Sequence, residues 1–263
     1  MTDSQLKELN DIDQMVCQWL EELMHQAREL VQSHVDVQNK DGNARNLVTN
    51  VDRENECWLD QKIRTFNPHA KIISEEGFGD HLVDMDGDVW FVDPIDGTMN
   101  FVHEHTDFAI MVALYRDGKP LLGWIADVMG NDIHHGGPAI GVQINQQKVP
   151  ATPDVVLSQS ILMLSGRCLV AGDYGYKTLA QKALAFRVIG SAGIAFSYLL
   201  KGQVNGYVSK LMPWDVAAGR VLAESLGFIV TNLDGQALNM LSSNTVLVAT
   251  YSTHHEIVTM LKG

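Results

Sequence analysis

Cysteine is scarce in this 263-residue chain: Cys17, Cys57 and Cys168 stand far apart, and no two form a C-x-x-C pair. An odd number of scattered thiols argues against a disulfide framework and against the common zinc spacings, and it points to a reducing cytoplasm. Basic residues are also few, 19 against 32 acidic ones, for a net charge of −13. So few Lys and Arg argue against nucleic acid as a partner, because a phosphate backbone needs basic stripes. Long apolar runs are missing. The longest, around Phe108–Tyr115 and Ile189–Leu200, are too short to cross a bilayer, so no membrane association is expected. The stretch M-T-D-S-Q-L-K-E-L-N-D at the start is polar and acidic, unlike a signal peptide. What is present, 46% hydrophobic and 19% charged residues, is an ordinary globular composition. The length suits a single unit over 1–263, or two packed halves: an α+β half of about 1–150 and a C-terminal α/β half of about 151–263.

Apolar periodicity then organises the chain. Leu6, Leu9, Ile12, Val16, Leu20, Leu23, Ala27 and Leu30 recur at helical spacing and predict an amphipathic helix from 3 to about 33. A polar loop should follow from Val35 to Arg45. Thr49 three residues before Asp52 reads as a helix start, and Asn67-Pro68 as its stop. Lys71-Ile72-Ile73 and Trp90-Phe91-Val92 read as strands. Phe108–Tyr115 and Pro120–Val128 read as a hairpin around Asp117-Gly118, and the 107–128 hairpin is the expected place for an exposed apolar surface that serves a dimer. Short strand and loop fill 136–149. Further strands are expected over 155–164, 203–209, 228–231 and 245–249. Helices are expected over 173–184, from Gly190-Ser191-Ala192 to Lys201, from Trp214 to Gly227, and over 255–262. Helices alternate irregularly with hairpins, which indicates a layered α+β fold and not a regular βαβ array.

One string concentrates the chemistry. In W-F-V-D-P-I-D-G-T-M-N-F, residues 90–101, a strand delivers Asp93 and then Asp96, Gly97 opens a tight turn, and Thr98 begins a short helix. Carboxylates at a strand end can hold hard divalent cations, and the N–H groups after Gly97 can hold an anion. Glu75/Glu76 and Asp215 are the other acids placed just after a strand or at a helix start. Two ions about 3.5–4 Å apart could clamp the attacking and leaving oxygens of a phosphate ester, with Asp93 central between them.

Other patterns carry less. Asp84-Met85-Asp86-Gly87 imitates the start of an aspartyl phosphatase motif, but no apolar strand precedes it; it also imitates a calcium loop, but with Gly misplaced and Ile95 where the closing Glu belongs. It reads as a surface turn. The pairs His103/His105, His134/His135 and His254/His255 lack ligand spacing and read as satisfied surface or loop histidines. Ser165-Gly166 lacks the nucleophile elbow of acyl-transfer enzymes.

The sequence resembles the inositol monophosphatase family of metal-dependent phosphatases over most of its length. L-V-T-N-V-D (47–52), Ser74-Glu75-Glu76, D-P-I-D-G-T-M-N-F (93–101) and W-D-V-A-A-G (214–219) match the family motifs in order. The resemblance implies an αβαβα sandwich, a homodimer, lithium sensitivity and two or three Mg²⁺ ions. It implies Glu75, Asp93, Asp96, Asp215 and the Ile95 carbonyl as metal ligands. It implies that Glu75 and Thr98 orient and deprotonate the attacking water, with Asp52 behind Thr98. Gly97 and Thr98 would hold phosphate through their N–H groups. Gly190, Ser191 and Ala192, with Asp96 and Asp215, would face the small phosphorylated substrate.

The chain departs from the family pattern at a few places. Ser74 replaces a usual Gly and Asn46 a usual Asp, and Lys40 is one residue further from L-V-T than the family's loop lysine. Val208, seven residues before Asp215, stands where many members place a Glu that binds ring hydroxyls. Val accepts no hydrogen bond, which weakens the case for inositol itself. The expected activity is in-line hydrolysis of a phosphate monoester without a covalent phosphoenzyme. Inositol monophosphate or a related polyol phosphate leads the candidates. A 3′-phosphoadenosine nucleotide, NADP, fructose 1,6-bisphosphate and histidinol phosphate follow. A catalytically weak metal-binding regulatory protein is the alternative of another class.

Overall fold

A computed structural model describes residues 2–31, 37–39 and 47–262; Lys40, Asn46 and most of the expected 35–45 loop lie outside them. The elements in chain order are α1 (Asp3–Val31), β1 (Val37–Asn39), β2 (Leu47–Thr49), α2 (Asn50–Phe66), β3 (Lys71–Ser74), β4 (Asp88–Asp96), α3 (Thr98–His103), β5 (Ala109–Arg116), β6 (Lys119–Asp127), β7 (Asp132–Gly137), β8 (Gly141–Ile144) and β9 (Gln147–Lys148). There follow β10 (Ile161–Leu164), α4 (Gly166–Ala171), α5 (Tyr176–Lys182), β11 (Ala185–Arg187), α6 (Ala192–Leu200), β12 (Gly206–Leu211), α7 (Pro213–Ser225), β13 (Ile229–Asn232), β14 (Asn244–Ala249) and α8 (Tyr251–Lys262).

Two sheets carry the architecture. The first runs β3-β4-β5-β6-β7-β8-β9 and the second β11-β10-β12-β14-β13. Only β3/β4 in the first, and β11/β10 and β10/β12 in the second, are parallel. Three apolar clusters show how the layers stack. Leu9, Val16, Leu20 and Leu23 of α1 and Leu59 and Ile63 of α2 pack on Trp90, Val112 and Trp124 from one face of the first sheet. Phe91, Met111 and Ile125 on its other face meet Phe196 of α6 and Val221 of α7, and the same cluster continues into Tyr207 and Val248 of the second sheet. Leu162, Val208 and Leu247 on the far side of that sheet pack with Tyr176 and Leu179 of α5 and Ile257 of α8. Helix pair, sheet, helix pair, sheet, helices: this is an αβαβα sandwich, with burial of one face per layer as its driving force.

The local signals act as read. Thr49 caps α2, accepting from the N–H groups of Val51 and Asp52, and Asp52 returns the bond to complete a capping box. Asp117 and Gly118 both take positive φ, as a two-residue hairpin of this twist requires. Asp84 lies in an exposed turn, paired with Lys71 at 2.5 Å.

Four expectations need correction. The strand expected over 155–164 begins only at Ile161. Leu157–Gln159 form a 3₁₀ turn, and Ser160 Oγ bonds the Val156 carbonyl. The helix expected at 255 starts at Tyr251 instead. Asp154 accepts from the Ser252 N–H at 2.8 Å, supplying a cap from 98 residues earlier in the chain. The 107–128 hairpin, expected as an exposed apolar surface for a dimer, forms the middle of the first sheet, where Ala109 to Tyr115 are buried. The His134/His135 pair is not a surface feature: both residues are buried in β7.

Candidate active site

β4 places the first carboxylates. Val89 to Val92 are wholly buried, so the strand is fixed on both faces as it reaches Asp93 and Asp96. Pairing of β4 with β5 shifts register between Asp93 and Asp96. Pro94 contributes to that break, because it has no N–H to give the ladder. Gly97 then turns with φ of 87°, and a Cβ there would sit 2.9 Å from Ser191 Cβ. Only glycine satisfies both conditions.

Asp96 is gripped by α6. Ser191 Oγ donates to its Oδ2, as does the Gly193 N–H at 2.7 Å, and the Ala192 N–H donates to Oδ1 at 3.0 Å. Burial pushes the Asp96 carboxyl up, those three donors pull it back, and the nearby Glu75 adds repulsion; the result is about 6. Gly190 and Ser191, expected at the substrate, line the cleft with Ala192. The Ser191 hydroxyl and the Ala192 N–H are nonetheless spent on Asp96.

Asp215 comes from the first turn of α7, where its Oδ2 accepts from the Met212 N–H at 2.8 Å. Asp93, Asp96 and Asp215 each bring a carboxylate oxygen within 4.8 Å of the others. Glu75, on the loop after β3, faces the same group. Asp93 is held well above the usual carboxylate range by burial first, then by Glu75, Asp96 and Asp215. Asp215 rises for the same reasons, burial first and then Asp96. Asp93 Oδ1 is buried and has no hydrogen-bond partner among the described residues. Among the described residues no Lys or Arg pairs with Asp93, Asp96 or Asp215. An orphaned buried oxygen amid like charges, with an all-oxygen donor set, fits a hard divalent cation.

Thr98 stands beside this cluster. Its Oγ1 lies 3.1 Å from both Asp52 Oδ1 and the Ile95 carbonyl. Asp52 is fully buried and accepts from the Thr49 N–H at 2.8 Å and from the Thr49 hydroxyl. Burial raises it to about 6 against those bonds.

Two supporting residues were not singled out from sequence. Asn100 Nδ2 donates to the carbonyls of Asp107 and Ile189, both at 2.9 Å, tying the Gly190 turn to α3. It lay in plain view inside D-G-T-M-N-F, but its partners are distant in the chain. Glu56 of α2 accepts from Ser74 Oγ (2.7 Å), Glu76 N–H (2.7 Å) and Phe78 N–H (2.9 Å), which fixes the loop that carries Glu75. Ser74 therefore has a use that the usual Gly could not supply.

Asp96 and Asp215 open into a cleft of about 470 Å³ walled also by Ser165, Arg167, Tyr207, Ser209 and Lys210. Larger cavities of about 810 and 760 Å³ lie elsewhere but contain none of these acids. Val208 does not reach the cleft: it is wholly buried against Leu162, Leu164 and Leu247. Successive strand residues face opposite ways, so Tyr207 and Ser209 point to the site and Val208 away. Val208, buried in the core, therefore does not count against inositol as a substrate.

The family model for the inositol monophosphatase family matches residues 7–262. The chain belongs to the inositol monophosphatase family. It is 30% identical over 252 residues to the inositol-1-monophosphatase of Bacillus subtilis, covering 94% of this chain and 95% of that one. It is 32% identical over 218 residues to the Nus factor SuhB of Vibrio cholerae, covering 80% of each. Among solved structures, an IMPase/NADP phosphatase complexed with Mg²⁺ and phosphate superposes with a TM-score of 0.87 at 25% identity, over 96% of this chain and 95% of that one. Membership makes this family protein a phosphatase, a phosphoric monoester hydrolase. Among the described residues no helix is long and apolar enough to cross a membrane.

Proposed function

We propose that this phosphatase hydrolyses a small phosphorylated polyol, inositol monophosphate first among them, with Mg²⁺ as its cofactor. One observation carries the reading: three carboxylates, those of Asp93 and Asp96 buried and that of Asp215 half-buried, converge on a point, with no Lys or Arg paired to them among the described residues. Asp93, Asp96, Asp215, Glu75 and the Ile95 carbonyl would hold two or three ions. When bound, such ions supply charge neutralisation for the phosphoryl oxygens and make water more acidic. The chain's own residues do the rest. Thr98 gives its hydroxyl proton to Asp52, so the Thr98 oxygen is free to accept a proton from the attacking water. Asp52, raised to about 6, is able to carry that proton onward. Glu75 orients the same water from the opposite side. The N–H groups of Gly97 and Thr98 face the phosphate. Gly190, Ser191, Ala192, Tyr207 and Ser209 face the leaving alcohol. The family resemblance extends the proposal to a lithium-sensitive cytoplasmic homodimer built as one catalytic unit.

A second reading has its own observation. Arg167 and Lys210 both line the cleft, are both exposed, and have no carboxylate partner among the described residues. They favour a substrate with a second anionic group, such as a 3′-phosphoadenosine nucleotide, NADP or fructose 1,6-bisphosphate, over histidinol phosphate, whose other end is cationic. The name of the Mg²⁺- and phosphate-bound neighbour, which pairs inositol monophosphate with NADP, is consistent with that pairing.

Phosphate release with Mg²⁺ from inositol 1-phosphate and from the doubly anionic substrates, with Asp93→Asn as control, separates the two. Preference for inositol 1-phosphate supports the first reading, and preference for a doubly anionic substrate supports the second. Near-normal turnover by Asp93→Asn at saturating Mg²⁺ overturns the site. Mg²⁺-dependent stabilisation without phosphate release from any substrate favours a regulatory role, the kind that the term Nus factor names for the Vibrio relative.

A further inference from the structure

Helix α1 and strand β7 bring a second set of ligand-type side chains together, away from the acidic cleft. Asp13 and Cys17 lie one turn apart on α1 and share its inner face. His135 sits on β7, 122 residues along from Asp13. An oxygen, a sulfur and a ring nitrogen from the three lie within 4.8 Å of one another. Asp13 and His135 are buried, at 4% and 8% exposure.

The surroundings select which atoms are left to converge. Trp124 Nε1–H donates to Asp13 Oδ1 at 2.9 Å. His135 Nε2 faces the Asn145 carbonyl at 2.7 Å, and a carbonyl only accepts, so that nitrogen carries its hydrogen. The inner atoms, Asp13 Oδ2 and His135 Nδ1, are then 2.8 Å apart beside Cys17. Metal-binding imidazoles and carboxylates are held this way: the outer atom is tied to a fixed partner and the inner atom turns to the ion. A cavity of about 760 Å³, lined also by Gln18, Glu21 and His25, opens onto the three residues, so an ion and a water have access.

A Cys-His-Asp nucleophilic relay is the other arrangement these residue types suggest. It needs the carboxylate on one ring nitrogen and the thiol on the other. Here the nitrogen opposite Asp13 is occupied by the Asn145 carbonyl. Burial moreover pushes the Cys17 thiol up despite the neighbouring His135, the reverse of an activated nucleophile.

We propose that Asp13, Cys17 and His135 form a second metal site that takes one Zn²⁺-class cation, with water as the fourth ligand. The mixed sulfur, nitrogen and oxygen set suits a borderline-soft ion in a tetrahedral shell and is a poor match for Mg²⁺. The site joins α1 to the middle of the first sheet. Its ligands come as i, i+4 on a helix plus one distant strand residue, which no zinc-finger spacing resembles. The scattered cysteines therefore gave no warning of it.

The test uses the full chain with saturating Mg²⁺, which occupies the acidic cleft, and adds Co²⁺ as an optical probe. The expected result is a thiolate-to-cobalt charge-transfer band that saturates near one equivalent and is erased by Zn²⁺. Cys17→Ser and His135→Gln should abolish the band, and Cys168→Ser should keep it. Cys17→Ser should weaken Zn²⁺ binding by about tenfold or more. Absence of the band, or its persistence in Cys17→Ser, overturns the proposal. A second readout needs no variant. Zn²⁺ should slow alkylation of Cys17, measured by peptide mass spectrometry, while the exposed Cys57 reacts at an unchanged rate. Equal labelling of Cys17 with and without Zn²⁺ also overturns it.

Discussion

Two clusters of buried titratable groups lie on opposite sides of the first sheet, and they handle charge in opposite ways. Asp93, Asp96, Asp215 and Glu75 repel one another, and each buried member is pushed toward its neutral form. Asp13 and His135 form a bonded pair of opposite sign, closed off by Trp124 and Asn145. The first cluster leaves Asp93 Oδ1 buried without a hydrogen-bond partner among the described residues. The second is satisfied by itself and can exchange a proton for a metal. A buried like-charge group costs stability that only a ligand recovers. The less self-sufficient cluster is therefore the one that marks the proposed catalytic centre.

The largest effect should come from removing one acid of the first cluster. Asp93→Asn should lower kcat by on the order of 1000-fold, a loss of about 4 kcal/mol in transition-state stabilisation. In EDTA the same variant should melt at a higher temperature than the parent, because it removes like-charge repulsion. A lower melting temperature in EDTA would break the contrast. The matching change in the second cluster should have the opposite sign. Asp13→Asn leaves a buried imidazolium without its counter-charge and should destabilise the metal-free protein by about 3–5 kcal/mol, measured by urea denaturation in EDTA.

Asp60 offers an intermediate case. It is buried on α2, neither carboxylate oxygen has a hydrogen-bond partner among the described residues, and burial followed by Glu56 raises it to about 7. A carboxyl raised on folding favours the native state below its unfolded value near 4, and that contribution is lost as pH rises through about 7. Asp60→Asn should therefore flatten stability between pH 5 and 8 and add on the order of 2 kcal/mol at pH 8. An unchanged pH profile would show that Asp60 is stabilised in some other way. The smallest effect concerns positioning. Asn100→Ala removes both bonds to the Gly190 turn and should raise KM by roughly tenfold, the equivalent of one to two hydrogen bonds, with a smaller change in kcat.

What could be read from sequence follows from how local each cause is. The Thr49–Asp52 box, the Asp117-Gly118 hairpin and the D-P-I-D-G-T string act within a few residues, so each was legible. The αβαβα layering followed from the family resemblance and not from periodicity alone. Features set by distant partners were hidden. Asp154 caps α8, Glu56 grips the loop after β3, Asn100 holds the carbonyl of Ile189, and β11 pairs with β10 in parallel at a sheet edge. Val208 shows a subtler limit. Counting back from Asp215 gave its place in the motif, but strand alternation decided which way it points, and one residue of register separates the core from the cleft.

Trp124 also gives the molecule an optical gauge. Its indole stacks on Trp90 with ring centres 6.0 Å apart and planes 5° from parallel, while its N–H rests on Asp13. Two indoles so close and so aligned share their excitation, and the electric field from Asp13 acts on one of them. Any event that alters the charge on Asp13 should therefore shift the emission colour and near-ultraviolet circular dichroism of the pair. The state of the α1–β7 cluster could then be followed in the unlabelled protein, in real time, by its own fluorescence.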